Sequence, residues 1–141
     1  MEFLGGVLTG LVVAVMVQIV VGVYIQPAIQ LREAIWAVDH SILQYANSYG
    51  QLAPEGRKVE AQSRFRDHAG ALSSKSRALM CYTVWVPLKL LPKRANVIKA
   101  SRKLIYLAGL ARDLSNDAGI QASDAENEIR ELLGIKTDQE A

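Results

Sequence analysis

The sequence contains no lysine or arginine before Arg32, and its residues from Phe3 to Leu31 carry no charged side chain over 29 positions. As an α-helix this stretch would extend about 43 Å, whereas the hydrocarbon core of a bilayer needs about 30 Å. No basic segment precedes the apolar run and no small-x-small cleavage pattern follows it, which argues against a signal peptide. We therefore expect an uncleaved transmembrane anchor over residues 1–27; a buried core helix of a soluble protein is the alternative.

Cysteine and the common catalytic motifs are also scarce. The single cysteine, Cys81, excludes an internal disulfide framework and suits a reducing compartment. The sequence has no Walker loop, GxGxxG, HExxH, GxSxG or CxxC motif. Asp39, His40 and Ser41 include the residue types of a hydrolase triad, but consecutive helical residues point about 100° apart and cannot bond in series. Because His68 and the other candidate ligands are isolated, we expect no enzyme, no cofactor and no metal site.

Charge is distributed unevenly along the chain. Residues 1–56 have a net charge of −3, residues 57–112 of +11 and residues 113–141 of −6. Since basic residues are retained on the cytoplasmic side, we expect a single-pass membrane protein with its N-terminus out and its C-terminal domain cytoplasmic. The basic block is expected to face membrane lipids or an acidic protein partner, or to be neutralised by the acidic last block. Nucleic acid is disfavoured because the block lacks interleaved aromatic residues.

Small or amide side chains recur at every fourth position of the apolar segment. Small residues allow two membrane helices to approach closely, and an amide in the bilayer favours a hydrogen bond to another helix. This row indicates a candidate surface for membrane-helix association, and hence a homo-oligomer, formed by Gly6, Gly10, Ala14, Gln18 and Gly22.

The rest of the chain predicts an all-α fold: one N-terminal transmembrane helix, then a small cytoplasmic bundle of about four helices over residues 28–134 and a flexible tail over 135–141. Pro27 predicts a kink or a break after the span. A second helix, ended by Gly50, carries an apolar seam of Leu31, Ile35, Val38, Ile42, Tyr45 and Tyr49. This seam suits the packing face of a bundle, and its three heptads also allow a parallel coiled coil.

Three more helices follow. Helical spacing predicts a third helix, from Pro54 or Arg57 to Met80, with an apolar stripe of Val59, Gln62, Phe65 or Arg66, Ala69, Leu72 and Leu79. A fourth helix over residues 95–114 has one face formed by Val97, Ser101, Leu104, Ala108, Ala111 and Leu114. A capping box, Ser123 with Glu126, is expected to open the last helix, which Gly134 ends.

The connector between the third and fourth helices, Tyr82 to Pro92, has prolines at positions 87 and 92 and is expected to be extended. Six large apolar residues lie in it: Val84, Trp85, Val86, Leu88, Leu90 and Leu91. They either contact the bilayer or belong to the core. The candidate lipid or partner contacts combine one tryptophan with nearby cations: Trp85, Lys89, Lys93, Arg94, Lys99, Arg102 and Lys103.

Three short motifs carry a resemblance: Tyr45 to Tyr49, Leu91-Pro92, and Leu104 to Leu110. Together with the N-terminal span they resemble small single-pass bacterial membrane proteins of uncharacterised function. The resemblance implies a bacterial inner membrane and no catalytic residues. The expected function is a membrane-anchored, non-enzymatic helical interaction or scaffold module. A membrane-perturbing effector that oligomerises through its span is the alternative, and a lipid-acting enzyme a distant one.

Overall fold

The computed structural model describes residues 2–49, 53–80, 82–113, 115 and 117–135, with side chains from residue 6 onward. Most of the described residues are helical and none of them lies in a β-strand, so the all-α prediction is confirmed. The elements are α1 (Glu2–Val20), a π-helical segment (Val21–Ile25), α2 (Gln26–Tyr45), α3 (Glu55–Ala78), the single turn α4 (Tyr82–Trp85), α5 (Arg94–Leu110) and α6 (Ala118–Leu133).

The first three elements form one continuous helix from Glu2 to Tyr45. Proline lacks an amide hydrogen and its ring clashes with the carbonyl four residues earlier, which at Pro27 belongs to Val23. That carbonyl lies in the π-helical segment, whose wider turns pair the amide of Gln26 with the carbonyl of Val21, five residues back. The chain therefore passes Pro27 without a break, since the π-helical turn accommodates the missing hydrogen bond.

The N-terminal part of this helix is apolar on all sides. Every side chain from Gly6 to Gln26 is exposed, including large ones such as Leu8 and Met16. The helix is long and apolar enough to cross a membrane. Burial begins at Ala28, so the same helix changes within one turn from a fully exposed apolar segment to one with a buried face.

The buried face of α2 is the seam that the sequence predicts. Leu31, Val38 and Ile42 are fully buried, and Ile35 and Tyr45 nearly so. Tyr49 is half-buried beyond the end of the helix, because the chain turns at Tyr45, whose carbonyl accepts from the amide of Ser48. The expectation that this helix continues to Gly50 is therefore wrong, because it ends at Tyr45; Gly50 itself lies outside the described residues.

Helix α3 runs antiparallel to α2. Near its start Arg57 donates to the carbonyl of Gln44 (3.1 Å), and near its end Lys75 donates to that of Gln30 (3.4 Å). The predicted stripe is wrong at its beginning, since Val59 is 54% exposed. The buried face is Lys58, Ala61, Phe65, Ala69, Leu72 and Ser76. The aliphatic stem of a lysine can cover apolar surface, so Lys58 belongs to a face that hydrophobicity alone assigns elsewhere.

Helix α5 returns antiparallel to α3, and α6 returns antiparallel to α5. Ser101 donates to the carbonyl of Ala69 (3.0 Å) between α5 and α3, and Tyr106 donates to Gln121 (2.9 Å) between α5 and α6. The C-terminal half of α6 also meets α2, where Arg130 pairs with Asp39 at 3.0 Å. The predicted face of α5 is buried at Val97, Ser101, Leu104, Ala108 and Ala111, while Leu114 lies outside the described residues.

The start of α6 differs from the prediction. The helix begins at Ala118, so Ser123 and Glu126 lie inside it, and the capping-box prediction is wrong. Alanines at positions 118, 122 and 125 continue the buried face before Ile129, which extends the helix toward its N-terminus. The end of α6 is as predicted: Gly134 adopts the left-handed conformation (φ 68°) that terminates helices. The tail from residue 136 lies outside the described residues.

Candidate functional site

Several elements meet the long helix where its apolar part ends. Trp85, Leu90 and Leu91 face Ile25, Ala28 and Ile29 across a small cavity of about 180 Å³. The end of α3 also lies beside this part of the long helix, because Lys75 donates to the carbonyl of Gln30. The end of α6 lies nearby, where Leu133 and Ile135 line a cavity with Arg32. We call this region the basal end; it comprises residues 25–39, 75–80, 82–94 and 133–135.

The connector is a closed loop, and the expectation of an extended course is wrong. One helical turn, Tyr82–Trp85, is followed by turns. The Tyr82 hydroxyl donates to the carbonyl of Pro92 (2.7 Å), which joins the two ends of the loop. The guanidinium of Arg94 lies 4.9 Å from the centre of the Tyr82 ring and donates to the carbonyl of Leu79 (2.8 Å). Because the ring is buried, the pKa of Tyr82 is raised to about 12, although Arg94 opposes this shift.

The apolar residues of the connector divide between core and surface. Leu91 is buried and Trp85 and Val86 are half-buried. Val84, Leu88 and Leu90 are exposed, at 56%, 59% and 46%. Only part of the connector therefore belongs to the core, and the exposed group leaves an apolar surface beside the end of the long helix.

Lys89 occupies an uncommon backbone conformation in this loop. Its φ of 54° is the only positive value among the non-glycine residues that the structure describes. The left-handed region costs an ordinary side chain roughly 1 kcal/mol, whereas asparagine and glycine tolerate it. The amide of Lys89 donates to the carbonyl of Val86 (3.0 Å), so this turn reverses the chain and brings Lys89 beside Arg32 and Trp36.

Basic side chains are concentrated at the basal end. Six lie there, and five of them are exposed while Lys75 is half-buried: Arg32, Lys75, Arg77, Lys89, Lys93 and Arg94. Glu33 and Asp39 are the acidic residues of the same region, and Asp39 is paired with Arg130. In sequence only Arg32 is close to the apolar segment, so this cluster depends on the antiparallel return of α3 and could not be found from spacing.

The seven candidate contact residues fall into two groups. Trp85, Lys89, Lys93 and Arg94 belong to the basal end. Lys99, Arg102 and Lys103 lie farther along α5, in an open groove of about 630 Å³ shared with Asp124 and Glu128 of α6. Lys103 is paired with Glu128 at 2.6 Å. Part of the basic block is therefore neutralised by the acidic last helix, which was one of the alternatives for it.

The row of small residues remains exposed in the single chain. Space for a side chain is open at Gly6, Gly10 and Gly22, where nothing lies within 4 Å of an added Cβ. Ala14 and Gln18 are exposed as well. Gly22 lies in the π-helical segment, whose wider turns shift it from the straight row of the other four.

The residues of the apparent triad do not meet. Ser41 contacts His68 instead, with 2.7 Å between Oγ and Nε2, and this bond links α2 to α3. Burial, and secondarily the charge of Arg64, lower the pKa of His68, while Asp67 opposes them. Within the described part of the chain, no group of three or more His, Cys, Asp or Glu residues could hold a metal ion.

A buried acid was not anticipated from the sequence. Glu126 is 9% exposed and lies near Tyr49, and burial raises the pKa of its carboxyl, with Tyr49 and Arg130 opposing the shift. Burial and the nearby carboxylate likewise raise the pKa of Tyr49. The spacing of Ser123 and Glu126 fits a capping box at a helix start. Because the helix begins at Ala118, Glu126 instead lies inside the helix and on its buried face.

The basal end combines exposed apolar side chains with unpaired cations. Arg32 and Lys89 make no hydrogen bond or ion pair with another described side chain, whereas Trp85, Leu88 and Leu90 offer apolar contacts beside them. This combination is suited to an amphiphile, with a negatively charged group at the cations and hydrocarbon on the apolar side. No protein-family model, curated protein or solved structure matches this chain.

Proposed function

We propose that the chain is a membrane-anchored, non-enzymatic helical interaction module. In this proposal its packed helices form a small bundle, and the basal end of the bundle lies against the anionic lipid of the inner membrane. The length of the apolar helix supports this proposal. The uncharged stretch of 29 residues corresponds to about 43 Å, close to the full thickness of a bilayer with its headgroups. Glu2 and Arg32 then lie at the two water-facing edges.

The observation that carries the proposal is the convergence of six basic residues beside the end of the apolar helix. A lysine or arginine near an anionic surface contributes roughly 1 kcal/mol, and this effect falls off within about 10 Å at ordinary salt. Six such groups therefore favour one orientation of the bundle, with the basal end toward the lipid. The same charges support a cytoplasmic C-terminal domain and an N-terminus on the opposite side.

Self-association of the same module has separate support from α2. Ile29, Trp36 and Leu43 are seven residues apart and 47%, 68% and 63% exposed, so one apolar stripe of α2 is unpartnered. Heptad spacing is typical of helices that pair in parallel. We infer that a second copy covers this stripe at Trp36 and Leu43, while Ile29 lies in the small apolar cavity of the basal end. The membrane-perturbing effector would oligomerise through its span instead, and the two functions also differ in whether the oligomer opens the bilayer.

Topology and permeability in living cells test the proposal. A reporter active only in the cytoplasm, fused after Ala141, should be active, and the full chain should resist extraction by carbonate but dissolve in detergent. Cells expressing the chain should keep their membrane potential. Activity of a periplasm-specific reporter would exclude the proposed orientation, and depolarisation would favour the effector instead.

A further inference from the structure

We propose that the basal end contains a binding site for one anionic phospholipid, with the phosphate between Arg32 and Lys89 and an acyl chain along Ile25, Ile29 and Trp85. This inference rests on the proposed function, because it places the site at the level where the long helix leaves the bilayer. It goes further by naming the ligand class and the residues that select it.

Two adjoining cavities provide the space for this lipid. The smaller, of about 180 Å³, has an almost entirely apolar lining that includes Ile25, Ile29 and Trp85. The larger, of about 510 Å³, has Arg32, Lys89 and Asp39 among its lining residues. The cavities share Arg32, Leu90 and Leu91, so they adjoin as one groove. This groove is apolar at the level of the span, and beyond it the charged side chains lie among apolar ones.

The charge of the groove is positive once its ion pair is counted. The Asp39 carboxylate pairs with Arg130 at 3.0 Å, so it does not compensate the groove's own cations. Among the residues that the structure describes, no acidic side chain pairs with Arg32 or Lys89. A phosphate between them would complete two charge-assisted interactions that the protein leaves open.

A lipid fits this groove better than a free anion, because the apolar cavity adjoins the end of the uncharged helix. The uncharged stretch ends at Leu31, so Ile25 and Ile29 lie at the depth of the upper acyl chain when Arg32 is at the level of the phosphates. A free phosphate would use only the charged half of the groove. The left-handed φ of Lys89 lies in the loop that lines the larger cavity, and such uncommon backbone conformations are often found at ligand contacts.

Quenching of tryptophan by brominated lipids tests the site in the full chain. Trp36→Phe leaves Trp85, which lines the apolar cavity, as the reporter. The protein is reconstituted in phosphatidylcholine vesicles containing a small fraction of either phosphatidylglycerol or phosphatidylcholine with brominated acyl chains. We expect stronger quenching by the brominated phosphatidylglycerol.

Two variants remove the cations, and one serves as a matched control. Arg32→Gln and Lys89→Asn should each lower the ratio of the two quenching constants by about fivefold, the factor expected for one basic group at an anionic surface. Asparagine tolerates the left-handed conformation, so Lys89→Asn keeps the turn while it removes the charge. Arg112→Gln, an exposed basic position beyond the far end of α5, should leave the ratio unchanged.

The outcomes separate this inference from the proposed function. Equal quenching by both lipids, or a ratio unaffected by Arg32→Gln and Lys89→Asn, would overturn the site while leaving the membrane-facing orientation intact. Quenching by neither lipid would overturn both. If soluble glycerol phosphate abolishes the preference for phosphatidylglycerol, the groove binds phosphate without lipid and the proposal is wrong. Unchanged circular dichroism of each variant shows that folding is not the cause.

Discussion

The hydrogen bond that closes the connector provides a quantitative test of the basal end. Tyr82→Phe removes the donor to the Pro92 carbonyl, a bond of 2.7 Å, and keeps the buried ring. Pro92 is half-buried, so water can reach its carbonyl and the loss should stay near the ordinary value for one hydrogen bond, about 1 kcal/mol. For a domain of this size the melting temperature should fall by roughly 5 °C.

A second tyrosine provides the matched control. Tyr106 donates to Gln121 at 2.9 Å, but this bond is exposed, so Tyr106→Phe should change stability by less than about 0.5 kcal/mol. Both variants are measured in the full chain in detergent, by thermal unfolding followed through tryptophan fluorescence. Equal melting temperatures for the two variants would refute the reasoning that the Tyr82 bond holds the loop closed.

The pH dependence of the same variant tests the burial of the Tyr82 hydroxyl. The pKa of Tyr82 is raised from 10.0 to about 12, because burial disfavours the phenolate. A raised pKa means that Tyr82 contributes stability fully below pH 10, and that this contribution is lost as the pH rises from 10 toward 12. The difference in stability between wild type and Tyr82→Phe should therefore shrink over that range, and a constant difference would contradict the assignment.

The helices away from the basal end provide three further tests. Phe65 is fully buried, so Phe65→Ala should destabilise the chain by about 3–5 kcal/mol in denaturant titrations, whereas Val59→Ala, at an exposed position, should cost little. The lowered pKa of His68 means that the unfolded chain takes up a proton before the folded chain does as the pH falls below 6.5, so wild type should lose stability there. His68→Gln should lack this acid-dependent loss of stability, whereas His40→Gln, at an exposed position, should still show it. The raised pKa of Glu126 acts in the opposite direction, and Glu126→Gln should remove a loss of stability that wild type shows as the pH rises above 4.5.

The helices could be predicted where apolar spacing contrasts clearly with polar residues. In α2 the seam from Leu31 to Tyr45 alternates in steps of three and four with charged residues between, and all five positions are buried. In α3 the contrast is weak, because the buried face includes Lys58 and Ser76 while Val59 lies outside it. Periodicity alone cannot find such a face, since the stem of a lysine packs like a hydrocarbon.

The basal end could be predicted only in part. The sequence identifies Trp85 and Lys89 as unusual, because they lie in an apolar segment that two prolines interrupt. Their proximity to Ile25 and Arg32 depends on how α3 returns along α2, which local patterns do not encode. The closed form of the connector was missed for the same reason, since the bond from Tyr82 spans ten residues and two turns.

The depth of the connector relative to the bilayer tests the central claim most directly. A spin label is attached at Leu88→Cys or at Arg112→Cys in the full chain, with Cys81 replaced by serine, and the protein is reconstituted in vesicles containing phosphatidylglycerol. Leu88 is exposed at the basal end and Arg112 is exposed beyond the far end of α5. The account predicts that the label at position 88 is shielded from a water-soluble relaxation agent and accessible to oxygen, while the label at position 112 shows the reverse. Equal exposure of both labels to the water-soluble agent would contradict a basal end that lies against the membrane.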